Sequence, residues 1–98
     1  MTPEYLAQTL TPFPLPTKGG GVLHTIENAR TYMMALPKTR ELRPHWQEAI
    51  RLLQNEAGVA AVTRQVHLAL FMDGRLDVLR VEHMSSARRS RQSPDGRT

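Results

Sequence analysis

Apolar residues recur at helical spacing through the middle of the chain. Ile26, Ala29, Met33 and Leu36 form one stripe, widened by Tyr32. Thr25 is a suitable N-cap for it, Glu27 puts a negative charge in the first turn, and Pro37 ends the run. Trp46, Ala49, Ile50, Leu53 and Ala57 make the second and cleanest stripe, with Gln47, Glu48, Arg51, Gln54 and Asn55 opposite. Pro44 fits the first turn of that helix, where a missing N–H costs nothing. Gly58 follows, where a left-handed residue closes a helix. Val62, Val66, Ala69 and Leu70 carry the third stripe, and Leu68, Phe71 and Met72 add apolar positions outside it. The pattern predicts an all-α fold, a small three-helix bundle with helices over 25–36, 44–57 and 59–72. The last two form a helical hairpin.

One stretch reads two ways. Asp73-Gly74 is a strong two-residue hairpin turn between 66–72 and 75–81. Ala60, Ala61, Gln65, Leu68, Ala69 and Leu70 favour helix by propensity, and an isolated hairpin is marginal without a third strand. Helix is therefore preferred up to Met72, while 75–84 suits either a short helix or an extended arm.

Periodicity fails at both ends. Residues 11–21 read T-P-F-P-L-P-T-K-G-G-G. Pro3, Pro12, Pro14 and Pro16, with three consecutive glycines, argue against both helix and sheet ladder. Residues 1–21 are thus expected to form a disordered Pro/Gly-rich head, 22–84 the helical domain, and 85–98 a disordered basic tail. Lys18 to Gly21 also requires purine-rich codons, which resemble a bacterial ribosome-binding site. A GTG start at Val22 would leave the head untranslated.

Size then shapes the functional expectation. A core of roughly sixty residues supplies only about 3–5 kcal/mol, and small domains usually add a staple. There is no cysteine, so no disulfide provides it. Self-association, or docking on a protein partner, is the expected source of further burial. The candidate partner-binding residues are Trp46, the only tryptophan and either a core or an interface anchor, and the surplus apolar set Leu68, Phe71 and Met72.

The net charge of +4 is unevenly placed. Residues 22–84 are almost balanced, whereas Arg88, Arg89, Arg91 and Arg97 face only Asp95 in the tail. The alternative function, weak nucleic-acid binding, falls on Lys38, Arg40 and Arg43 and on Arg88, Arg89 and Arg91. Such contacts are salt-sensitive, and a tail without aromatic residues offers no base stacking. The string A-G-V-A-A-V-T-R-Q-V from Ala57 resembles the opening of a DNA-recognition helix. Gln54 stands where that motif packs a small residue, and Arg64 where it needs a core one, so the pair reads as a plain hairpin.

Catalytic chemistry finds no foothold. None of His24, His45, His67 and His83 pairs with another at helical spacing; His45 and Glu48 share a face but supply two ligands only. Every serine lies in 85–98, and Gly19 to Gly21 lack the spacing of a phosphate loop. No catalytic, cofactor-binding or metal-binding residue is expected. No apolar run approaches the ~20 residues of a membrane span, and no signal peptide is visible. The sequence-level expectation is a cytoplasmic, non-enzymatic helical protein-interaction module that self-associates or docks on a protein partner.

Overall fold

The structure is a computed structural model and describes residues 2–80. In chain order its elements are α1 (Pro3–Leu6), β1 (Leu15–Pro16), β2 (Val22–Leu23), α2 (Ile26–Met34), α3 (Lys38–Glu41), α4 (Pro44–Gln54) and α5 (Val59–Met72). A further helical turn begins at Val78, where the Asp77 carboxylate accepts from the Arg80 N–H at 3.2 Å.

The α4–α5 hairpin is the main packing unit, and α2 lies against both helices. Trp46, Ala49 and Leu53 of α4 meet Val62, Val66, Ala69 and Leu70 of α5 and Ile26, Ala29 and Met33 of α2 in one buried cluster. Burying each large apolar side chain contributes about 1.5–3 kcal/mol. The start of α2 is fixed by a reciprocal cap: Thr25 Oγ1 accepts from the Asn28 N–H, and Asn28 Oδ1 accepts from the Thr25 N–H, both at 3.2 Å.

The fold is not the three-helix all-α bundle expected from periodicity. Two short antiparallel strands pair Leu15 with Leu23 and Pro16 with Val22, and two extra short helices flank the bundle. Nor is the N-terminal head disordered. Tyr5, Leu10, Leu15, Pro16 and Thr17 are all buried. Tyr5 donates its hydroxyl to the Ala57 carbonyl at 2.6 Å, and the Leu10 N–H reaches the His24 carbonyl at 2.9 Å. Burial, then the nearby Glu56, pushes the Tyr5 hydroxyl pKa up, which keeps it a donor.

The residues that read as breakers are turn and edge residues. Pro3 begins α1 behind a Thr2 cap. Pro16, lacking an N–H, contributes only its carbonyl, which accepts from the Asp77 N–H at 3.0 Å. Gly19 and Gly20 have φ of +99° and +97°, a conformation that side chains disfavour, and they close the β1–β2 connection. A Cβ on Gly21 would lie 3.0 Å from Thr17 Oγ1, a tight approach that the threonine side chain would have to relieve by shifting.

Segment 75–77 returns along the far edge of β1. Thr17 and Leu76 form an antiparallel bridge, and the Lys18 N–H donates to the Arg75 carbonyl at 2.9 Å. This return depends on how α5 ends. Gly74, at φ +69°, donates to the Phe71 carbonyl at 3.0 Å, and the Arg75 N–H donates to the Leu70 carbonyl at 2.9 Å. Those two bonds make a Schellman cap, so Asp73-Gly74 terminates a helix instead of joining two strands. The end of α4 uses the same device, with Glu56 at φ +50°. Its partners are Glu56 N–H to the Leu53 carbonyl at 3.0 Å and Ala57 N–H to the Leu52 carbonyl at 2.9 Å. Gly58, expected to be left-handed, has φ −55° and stands as the N-cap of α5. The tail 85–98 and residues 81–84 lie outside the described residues.

Candidate functional site

The densest polar arrangement is centred on Asp73, the residue that caps α5. Its side chain is 1% exposed and is met by four donors. Arg43 Nη1 at 2.6 Å and His45 Nε2 at 2.9 Å reach Oδ1. Arg40 Nε and Trp46 Nε1, both at 2.7 Å, reach Oδ2. A carboxylate offers about four lone-pair positions, and all are engaged. Because an ionised carboxylate only accepts, His45 presents a proton on Nε2.

Burial alone would push the Asp73 carboxyl pKa up. The hydrogen bonds from Trp46, Arg40, His45 and Arg43 outweigh that and hold it well below the usual carboxylate range. The guanidinium of Arg40 also donates to the Tyr32 hydroxyl at 3.1 Å and lies 5.8 Å and 5.9 Å from the Tyr32 and Trp46 ring centroids. Gln65 of α5 donates to the His45 carbonyl at 3.0 Å. The cluster thus fastens the α3–α4 corner to the C-terminal end of α5. With every lone pair occupied, Asp73 has none left to take a proton from a substrate. Its role is to hold the helices in register.

This cluster redistributes the residues singled out from sequence. Trp46, a candidate partner contact, is fully buried and offers a partner no surface. Arg40 and Arg43, candidate phosphate contacts, are ion-paired internally; Lys38 is exposed. His45 is bound to Asp73, and Glu48 is held by Arg51 at 2.9 Å, so the His45–Glu48 pair does not converge. Among the described residues no group of three or more His, Cys, Asp or Glu is placed to hold a metal. Arg88, Arg89 and Arg91 lie outside the described residues. Asp73 itself was hidden by its reading as a turn residue. The signal was the density of Arg40, Arg43, His45 and Trp46 with a single acid, Glu41, in their own segment.

Two surfaces on α5 bear on binding. Leu68, Phe71 and Met72, at 45%, 59% and 59% exposure, form one row on the outer side of α5. Beside the row, toward the N-terminal end of α5, an open cleft of about 430 Å³ separates the head from the helix. Pro12, Phe13 and Leu15 line one side, and Ala60, Thr63, Arg64 and His67 the other. The Thr11 N–H donates to Thr63 Oγ1 at 3.3 Å across its base, and the Thr63 hydroxyl donates to the Val59 carbonyl at 2.8 Å.

Comparison with protein-family models, curated proteins and solved structures finds no match for this chain. No described helix is long and apolar enough to cross a membrane.

Proposed function

We propose that the protein is a small self-associating interaction module whose contact surface is the outer row of α5. The observation that carries this reading is the exposure of Leu68, Phe71 and Met72 together. Seven large hydrophobic residues are exposed among the described residues, and five of them, including Val78 and Leu79, fall in 68–79. Scattered exposed hydrophobics need no explanation, but a concentration of them marks a contact surface.

A second copy is the occupant that fits. The row carries no acid or base of its own, so two copies related by a twofold axis bring apolar against apolar surface. Arg64 is the nearest charge on the helix. With the axis between Leu68 and Phe71 and the helices antiparallel, the two Arg64 side chains stand roughly 16 Å apart, using a 1.5 Å rise per residue. That exceeds the Debye length of about 8 Å at physiological salt, so their repulsion is screened. Nucleic-acid binding is the weaker reading, because two of the three loop cations already neutralise Asp73.

Sedimentation of the full chain over a micromolar concentration series tests the proposal. The weight-average mass should rise above 11.1 kDa. Phe71→Glu should remain monomeric with unchanged helical circular dichroism. A wild-type chain that stays monomeric throughout, or a Phe71→Glu variant that associates like wild type, overturns it.

A further inference from the structure

The cleft between the head and α5 has the properties of a small-ligand site. Its volume of about 430 Å³ falls within the roughly 300–1,000 Å³ of small-molecule pockets. Pro12, Phe13, Leu15 and Ala60 give it apolar walls, and no acidic residue lines it. Three lining polar side chains, those of Thr11, Arg64 and His67, make no hydrogen bond or ion pair with any other described residue. Thr63 does not compete for a ligand, since its hydroxyl is committed to Val59 and Thr11. The walls are held in place: Leu15 is buried and paired with Leu23, and Leu10 is bonded to His24.

An apolar cleft bordered by an imidazole and by a guanidinium that has no acidic partner among the described residues is complementary to one ligand chemistry. We infer that it binds a small apolar monocarboxylate. The hydrocarbon or aromatic body lies against Pro12, Phe13 and Ala60, and the carboxylate takes its hydrogen bonds from Arg64, whose planar fork matches it. A multiply charged phosphate fits less well, because a single guanidinium and mostly apolar walls leave most of its charge uncompensated. Leu68, Phe71 and Met72 do not line the cleft, so the two proposals rest on different residues of α5.

Titration of the full chain with phenylacetate, followed by amide-resonance NMR, tests the site, with phenylethanol as the uncharged counterpart. Phenylacetate should produce saturable shifts confined to the neighbourhoods of Thr11 to Leu15 and Ala60 to His67, and should bind more tightly than the alcohol. Arg64→Gln should weaken phenylacetate by about fivefold, the upper end of what an exposed ion pair supplies, and leave phenylethanol unchanged. Arg64 is exposed and pairs with no described residue, so its replacement leaves the fold intact, which the free variant's spectrum verifies. A second variant, Ala60→Phe, fills the cleft and should abolish binding of both probes. The assignment fails if no saturable shifts occur, if the shifts fall elsewhere, or if Arg64→Gln leaves the preference for the acid untouched.

Discussion

Trp46 donates its indole N–H to Asp73 Oδ2 at 2.7 Å, joining the largest fully buried side chain to a buried carboxylate at the end of α5. One residue is the centre of the apolar core and the other the centre of the polar cluster. A change at either is therefore felt in both.

Replacing Asp73 with Asn keeps the shape and removes the charge. Four donors then face an amide that can accept through one oxygen only, and two guanidiniums lose their counter-ion. Breaking a buried ion pair in this way costs about 3–5 kcal/mol. Urea unfolding of Asp73→Asn should show a loss of that size. A loss under 1 kcal/mol, the range of about 0–1 kcal/mol measured for surface pairs, would mean that the cluster is not buried in solution.

The same carboxylate sets a pH dependence. Its folded-state pKa lies below the unfolded value of about 3.9, so its stabilisation is complete above that pH and is lost as the pH falls through and below it. Stability measured from neutral to strongly acidic pH should decline in that window, and the decline should be shallower in Asp73→Asn. Equal slopes for the two proteins would contradict the assignment.

Leu15→Ala tests the head. The side chain is 1% exposed, and truncating a buried leucine costs about 2–5 kcal/mol. A polypeptide beginning at Val22 lacks Tyr5, Leu10 and Leu15 together and should be much less stable than the full chain by thermal unfolding. Unchanged melting of both proteins would restore the picture of an independent head.

Gly58→Ser separates the two conformations considered for that residue. At φ −55° the position accepts a side chain, nothing lies within 4 Å of an added Cβ, and the N-cap of α5 has no side-chain acceptor. Serine supplies one and also restricts the unfolded chain, so stability should rise by about 1 kcal/mol. A left-handed Gly58 would give the opposite sign.

The three longer helices were legible because each carries its own period: Ile26 with Ala29 and Met33, Trp46 with Ala49 and Leu53, Val62 with Val66 and Ala69. The head was not, because its order is non-local. Two-residue strands carry no alternation to detect, and the Tyr5 hydroxyl and the Thr11 N–H each find their partner 52 residues along the chain, at Ala57 and Thr63. The Asp73 cluster was invisible for the same reason. Arg40 and Arg43 read as a solvated basic loop when their acid lies some thirty residues away, at a position whose Gly neighbour suggests a turn. At Gly58 the error was one of register: the left-handed position fell two residues earlier, on Glu56.

The bridge between Thr17 and Leu76 has a consequence for the order in which the fold is completed. On the ribosome β1 emerges early and finds β2 almost at once, yet its other edge stays bare until Leu76 has been released. Closing so long a loop is entropically slow, and an uncovered strand edge is a template for unwanted pairing. Nascent chains stalled before Leu76 should therefore be protease-sensitive through the head, and those stalled well beyond it protected. The far edge of β1 is thus covered only after the whole of α5 has been made.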